Sequence, residues 1–278
     1  MSPRPEHKAP ATELYSTKGA AKYAASTRIN AVQKTLAERC LQLLALPEAQ
    51  PSLLLDIGTG TGLSGDVLTA AGHHWVGTDI SQPMLDTALE NDVDGDLVLA
   101  DAGEGVAFRM ATFDGAVSVS AIQWLCNADR SDHNPHKRLN AFFSTLYAAL
   151  TRGARAALQF YPENVAQIEL LVASAMRAGF SGGLLVDYPN STKAKKYYLC
   201  LTAGPPQKGA VQPKPLGVDS NASVPVGNRT TQTTSRRNAS QQLSRKDQVI
   251  SKKDRRRRQG HLVRPDSKYT GRKRRVQF

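Results

Sequence analysis

Cysteine is scarce in this chain: Cys40, Cys126 and Cys200 are the three in 278 residues, and no two of them form a CxxC pair. An odd number at wide spacing argues against a disulfide framework and fits a reducing compartment. No His/Cys grouping has the spacing of a zinc site, so no metal is expected. Long apolar runs are also missing. No stretch approaches the roughly 18 apolar residues of a membrane span. The opening MSPRPEHKAPATE is polar and has no apolar signal segment. The expectation is a soluble intracellular protein that does not meet a membrane.

Acidic residues are few where basic ones are many. From Pro205 onward the chain carries 19 of its 36 Lys and Arg but 4 of its 24 Asp and Glu, a net of +15, which leaves −3 for the first 204 residues. The basic character therefore belongs to the C-terminal part, and such asymmetry suggests an arm for a polyanion. That part is rich in Pro, Gly, Ser, Thr, Asn and Gln up to about Ser244 and then in Lys and Arg, with too little apolar material to offset the entropy of ordering. The sequence divides into a helical segment at 1–50, a core at 51–204 and a disordered basic tail at 205–278.

Between Leu53 and Leu201 short apolar runs alternate with helical patterns, the signature of an α/β fold whose sheet is covered on both faces. Expected strands are Leu53–Ile57, His74–Thr78, Asp96–Ala100, Asp114–Ser118 and Ala154–Phe160. Leu184–Asp187 and Lys196–Thr202 are close enough in sequence to pair antiparallel. Ile29, Val32, Leu36, Cys40 and Leu43/Leu44 recur at helical spacing, with Pro47 as the stop. Pro135–Leu150 is a further helix, with Leu139, Phe142, Phe143, Leu146 and Leu150 on one face.

Leu53-Leu54-Leu55-Asp56-Ile57-Gly58-Thr59-Gly60-Thr61-Gly62 runs a buried strand into a turn with glycine at every second position. Glycine lets a ligand approach the backbone, and the helix starting near Leu63 offers free N–H groups. Asp79, with Ile80 beside it, follows the second strand and can accept from both hydroxyls of a ribose. Nicotinamide enzymes share this logic but favour GxGxxG. Here the spacing is GxGxG behind Asp56, a carboxylate ill suited to a pyrophosphate and well suited to the cationic methionine end of S-adenosylmethionine. Asp101, after Leu97-Val98-Leu99-Ala100, can accept from the adenine amino group or simply make a turn with Ala102-Gly103. The candidate cofactor set is Asp56, Gly58, Thr59, Gly60, Gly62, Asp79, Ile80, Asp101 and Ser120. The fold expected is a doubly wound, seven-stranded, mostly parallel sheet of the Rossmann-like methyltransferase class.

The fourth strand ends in Ser118-Val119-Ser120-Ala121-Ile122-Gln123-Trp124-Leu125-Cys126-Asn127. It lacks the Asn- or Asp-Pro-Pro-aromatic signature of exocyclic-amine methylases, which disfavours an amino-group acceptor. Trp124 is either a stacking surface for a base or a core tryptophan. No general base stands out, so no catalytic residue is assigned. A ring nitrogen such as guanine N7 needs none, because its in-plane lone pair attacks a sulfonium methyl directly. Tyr15 and Tyr23 either close over the cofactor or pack in an ordinary way.

The strings SAIQWLCNAD (Ser120 to Asp129), FFSTLYAAL (Phe142 to Leu150), QFYPEN (Gln159 to Asn164), AGFSGGLLVD (Ala178 to Asp187) and KKYYLCL (Lys195 to Leu201) closely resemble the eukaryotic 18S ribosomal RNA guanine-N7 methyltransferase family. ELYSTKGAAKYAASTR (Glu13 to Arg28) and RPDSKYTGRKRR (Arg264 to Arg275) resemble its two ends. The family often has Cys where Thr59 stands here. The resemblance implies methylation of one guanine of 18S rRNA in pre-40S ribosomal particles and a small zinc-binding activator subunit. It also implies a nuclear location, nucleolus and nucleoplasm, with the cytoplasm as a second site. Candidate substrate-binding residues are Trp124, Asn127, Arg255, Arg256, Arg257, Arg258, Arg272, Lys273, Arg274 and Arg275. A small-molecule methyltransferase and an assembly factor with a mainly structural role are the competing readings. In the usual strand order 3-2-1-4-5-7-6, Leu97-Val98-Leu99 forms an apolar edge, to be covered by the activator or by the chain's own N-terminal segment.

Overall fold

The structure is a computed structural model that describes residues 4–47, 50–130, 133–205 and 213–217, together with residues 250, 253, 257 and 265. The chain opens with helices α1 (Ala11–Leu14), α2 (Thr17–Ala24) and α3 (Thr27–Leu44). It then alternates β1 (Leu53–Ile57), α4 (Leu63–Ala70), β2 (His74–Asp79), α5 (Gln82–Glu90), β3 (Asp96–Leu99) and β4 (Phe113–Val119). It finishes with α6 (Pro135–Ala149), β5 (Leu150–Phe160), α7 (Val165–Arg177), β6 (Phe180–Asp187) and β7 (Lys196–Ala203). The strands form one seven-stranded sheet in the order β3-β2-β1-β4-β5-β7-β6. β7 runs antiparallel to both β5 and β6, as the short connection between β6 and β7 requires.

β1 explains why the strands read as continuous apolar runs. Successive side chains of a strand point to opposite faces, and both faces here are covered. Leu54 packs with Leu36, Cys40 and Leu44 of α3 and Leu68 of α4. Leu55 packs with Phe142, Phe143 and Leu146 of α6 and Leu171 and Ala175 of α7. Neither leucine is exposed at all. Each such side chain contributes on the order of 1.5–3 kcal/mol by leaving water.

Beyond shifts of a single residue, four differences from the sequence expectation stand out, each with a physical reason. α3 ends at Leu44 rather than at Pro47, because Ala45 adopts the left-handed conformation (φ 48°) that closes a helix. β5 begins at Leu150, four residues early. Its pairing with β4 shifts register between Phe113 and Gly115, so the turn-like Thr151-Arg152-Gly153 is absorbed into the strand. β6 begins at Phe180 and includes Gly182-Gly183; a Cβ at Gly182 would lie 2.2 Å from the Cys200 carbonyl oxygen of β7.

The fourth difference concerns the tail expected from 205. Pro213–Gly217 is ordered against the core. Asp187, 1% exposed, accepts from Arg39 Nε (2.9 Å), Arg39 Nη2 (3.2 Å) and the Leu216 amide (2.8 Å). Arg39 Nη2 also donates to the Lys214 carbonyl (2.7 Å), and the Tyr188 amide donates to the Leu216 carbonyl (2.7 Å). A buried carboxylate needs partners of this kind, and sequence composition could not reveal them because Asp187 and Leu216 lie in separate segments. The rest of the expected tail, apart from residues 205, 250, 253, 257 and 265, lies outside the described residues.

Removing the guanidinium would leave Asp187 buried without its charge partner. Arg39→Met is expected to cost about 3–5 kcal/mol of stability in denaturant unfolding and to speed hydrogen exchange at the Leu216 and Tyr188 amides. An unchanged midpoint and unchanged exchange would contradict the role given to this pair.

Candidate functional site

The site is built at the carboxyl ends of β1, β2, β3 and β4, where the strand order reverses between β1 and β4 and a crevice opens. The loop after β1 is fixed from below. The Gly58 and Thr59 amides donate to the Thr78 carbonyl (2.7 and 3.0 Å), and the Gly60 amide donates to Asp79 Oδ2 (2.9 Å). The alternating glycines have separate reasons. Gly58 (φ 75°) faces Ala121, where a Cβ would lie 2.3 Å from the alanine Cβ. Gly62 (φ 87°) opens α4, and a Cβ there would lie 2.5 Å from Val93 Cγ1.

Asp79 ends β2 and is pinned on both oxygens, since its Oδ1 accepts from the Ser81 amide (2.8 Å). Ser81 caps α5 by accepting from the Met84 amide, and its hydroxyl donates to the Tyr15 carbonyl (2.7 Å). That bond ties the N-terminal segment to the cofactor loop. Tyr15 and Tyr23 stand edge to face with ring centroids 5.9 Å apart, and Tyr15 meets Trp124 at 6.0 Å. Both tyrosines line the same cavity as Gly58, Thr59, Gly60, Asp79, Ile80, Asp101, Ser120 and Trp124. The N-terminal segment thus covers the crevice, and Trp124 forms part of the cavity wall rather than the core.

Asp101 is held by an arginine that sequence reasoning missed. Arg138 of α6 donates Nη2 to Asp101 Oδ1 (2.8 Å) and Nη1 to Oδ2 (3.0 Å), while the Gly103 amide donates to Oδ1 (2.8 Å). The second lone pair of Oδ2 is left to accept from a ligand. The guanidinium packs directly against Gly103, where a Cβ would lie 2.2 Å from its carbon. Nothing in sequence links positions 101 and 138. Asp129 also lines the cavity, and burial raises its carboxyl above the usual range. It stood inside the string SAIQWLCNAD without being singled out. Ser120 (φ 58°) is a strained residue at the end of β4 whose hydroxyl donates to Gln159 Oε1 (2.8 Å).

Three expected site residues are not on the cavity wall. Gly62 serves the packing of α4. Asn127 lines a separate small pocket with Gln123 and Tyr161. Asp56 is fully buried behind the loop, where Oδ2 accepts from the Ser64 hydroxyl (2.6 Å) and Oδ1 has no partner. Ser64, its hydrogen-bond partner, lines the cavity. Burial pushes the Asp56 carboxyl up to about 6, against the lowering effects of Ser64 and Thr59. Of the tail residues, Arg257 is exposed in helical backbone; Arg255, Arg256, Arg258, Arg272, Lys273, Arg274 and Arg275 lie outside the described residues. Among the described residues no cluster of His, Cys, Asp and Glu could hold a metal, and no helix is long and apolar enough to cross a membrane.

The donor set fits S-adenosylmethionine. Asp79 and Asp101 present acceptors at the ends of adjacent strands, the loop is opened by glycine, and a buried carboxylate with an unpartnered oxygen lies beneath it.

The comparisons agree with this geometry. A family model described as a methyltransferase domain matches residues 55–158, and one described as a methyltransferase involved in Williams-Beuren syndrome matches residues 201–276. The chain is 51% identical to the 18S rRNA (guanine-N(7))-methyltransferase of Mus musculus, over 100% of this chain and 99% of that protein. It is 47% identical to the 18S rRNA (guanine(1575)-N(7))-methyltransferase of Saccharomyces cerevisiae, over 99% of each. Among solved structures, a TehB-like SAM-dependent methyltransferase from Corynebacterium glutamicum matches with TM-score 0.51 at 17% identity, covering 68% of this chain and 100% of that one. A Haemonchus contortus phosphoethanolamine N-methyltransferase in complex with S-adenosylhomocysteine matches with TM-score 0.50 at 18% identity, covering 69% of this chain and 58% of that one. At these identities the two structures show the fold.

The raised carboxyl of Asp56 makes a signed prediction. The folded protein holds this proton more tightly than the unfolded chain, so the contribution to stability is full below about pH 4 and is lost as pH rises through about 6. Asp56→Asn removes the charge and keeps the shape. The variant should match the wild type in thermal unfolding near pH 4 and exceed it at pH 8 by up to about 3 kcal/mol. A variant less stable than the wild type at pH 8 would contradict this.

Proposed function

The chain belongs to the 18S rRNA (guanine-N(7))-methyltransferase family, and from that premise we propose that it methylates N7 of one guanine in 18S rRNA as the small ribosomal subunit matures. The observation that carries the reading is the joint presence of an alternating-glycine loop pinned to Asp79 and an aromatic wall at the end of β4. S-adenosylmethionine supplies an electrophilic methyl on a sulfonium. Gly58 and Gly60 let it approach the backbone, Asp79 receives ribose hydroxyls, and Asp101, fixed by Arg138, receives the adenine amino group. Asp56 lends negative charge beneath the loop through Ser64.

Guanine N7 carries its lone pair in the ring plane, so the acceptor needs no deprotonation. Alignment then supplies the rate, and Trp124, with Tyr15 edge-on to it, offers a ring face that aligns a base. Tyr15 and Tyr23 over the crevice exclude water from the transfer. Burial, then the Asp79 and Glu6 charges, push the Tyr15 hydroxyl up to about 12, so it remains a neutral donor. The basic stretch from Lys252 to Arg275 supports attachment to RNA phosphate.

β3 lies at the sheet edge with Val98 37% and Leu99 54% exposed, so the described part of the N-terminal segment leaves it open. An uncovered apolar edge of this kind supports the small zinc-binding activator as its cover, in a heterodimer. A role in ribosome maturation supports a nuclear location, nucleolus and nucleoplasm, with the cytoplasm as a second site.

The test is borohydride and aniline cleavage at N7-methylguanine of 18S rRNA from cells with and without the protein. One cleavage site is expected to vanish on depletion and to return with the intact chain but not with Asp79→Ala. An unchanged pattern would turn attention to a small-molecule acceptor. Normal subunit maturation with Asp79→Ala would favour the mainly structural role.

A further inference from the structure

Two buried acceptors without partners lie together beside the site. Glu6 Oε2 and Gln123 Oε1 are both enclosed and unbonded, and both residues line the pocket that also contains Arg4, His7, Asn127 and Tyr161. Leaving such an atom unpaired is costly, and its persistence asks for an explanation. The two cannot satisfy each other, since each only accepts. Gln123 is 5% exposed, and its Nε2 donates to the Ser120 carbonyl (2.7 Å), which commits the amide nitrogen and turns Oε1 away from that bond.

The position of the pocket is as informative as its chemistry. The strand order reverses between β1 and β4, and the cofactor residues Gly58, Gly60, Asp79 and Asp101 occupy the ends of β1, β2 and β3. The acceptor must therefore approach from the far side, past the ends of β4 and β5. Gln123 and Asn127 follow β4, Tyr161 follows β5, and Trp124, the cavity wall, is the next residue after Gln123. Gln123 and Trp124, adjacent in the chain, thus place the pocket beside the aromatic wall.

We propose that Glu6 and Gln123 read the Watson–Crick edge of the target guanine, so that the pocket beside Trp124 determines base specificity. This rests on the guanine-N7 reading above. Guanine presents N1–H and the C2 amino group as adjacent donors on the edge away from N7, and a carboxylate with an amide oxygen is their complement. With the base against Trp124, that edge turns toward the pocket while N7 turns toward the crevice. Asn127 supplies an amide able to donate to O6. Adenine would set its N1 lone pair against the Glu6 carboxylate, and its rejection follows from the same unpaired acceptors. The pocket is closed by Arg4, which donates to the Tyr161 and Pro162 carbonyls (2.9 and 2.7 Å), and by His7 against Glu163 (3.3 Å). Entry of a base accordingly requires residues 4–7 to swing out and return, so the N-terminal segment both covers the cofactor and carries a base-reading residue.

The test is methyl transfer by the full-length protein, purified with whatever subunit accompanies it, onto unmodified small-subunit RNA carrying either guanine or inosine at the target position. Inosine keeps N7, N1–H and O6 and lacks the 2-amino group. The wild type should prefer guanine. Glu6→Gln and Glu6→Ala should lower kcat/KM on guanine by about 10- to 100-fold, reduce the preference over inosine, and leave the affinity for S-adenosylmethionine unchanged. Equal losses on both RNAs, no loss on either, or a parallel loss of cofactor affinity would overturn the assignment. Wild-type protein that yields no cleavable N7-methylguanine would instead overturn the guanine-N7 reading itself.

Discussion

The structure depends on the carboxyl end of β2 and the loop it holds. The Thr78 carbonyl takes the Gly58 and Thr59 amides, and the Asp79 carboxylate takes the Gly60 amide. A loop with glycine at every second position has little conformational preference of its own. Here its shape is set by three backbone donors, by Ala121 beneath Gly58 and by Val93 against Gly62. Asp79 passes the constraint on through Ser81, which caps α5 and holds the Tyr15 carbonyl. One hydrogen-bonded chain thus runs from the cofactor loop to the segment that covers it.

The same chain separates two chemistries. On one side of the strand reversal, Asp79 and Asp101 are carboxylates of fixed geometry on the cavity wall. On the other lie Trp124, with Tyr15 edge-on to it, and the pocket lined by Gln123 with its unpartnered acceptors. No proton needs to move for a ring nitrogen to take a methyl, so rigidity and alignment carry the demand. Arg138 illustrates that rigidity: it grips Asp101 with two hydrogen bonds and packs against Gly103.

Much of this was legible in residue order. β1 matches its expected span residue for residue, the antiparallel pairing of β6 and β7 follows from their close spacing, and the strand order is the usual one of the fold. Asp79, Gly58 and Gly60 could be found because strand, turn and carboxylate recur at fixed offsets along the chain. Arg138, Gln159 and Asp187 could not, since their partners Asp101, Ser120 and Arg39 are distant in sequence and their meaning arises from packing. The motif gives the position of Asp56 in the loop but not the face on which its side chain lies, which is the buried one. Pro213–Gly217 has the composition of a loop, whereas its order comes from Asp187 and Tyr188.

The central claim is that this loop and its carboxylates select S-adenosylmethionine over a dinucleotide. Calorimetric titration of the full-length protein with S-adenosylmethionine, and separately with NAD, tests it most directly. Saturable one-site binding of S-adenosylmethionine with no heat from NAD is the expected result. Folded protein that binds NAD as well or better, or that ignores S-adenosylmethionine, would contradict the account.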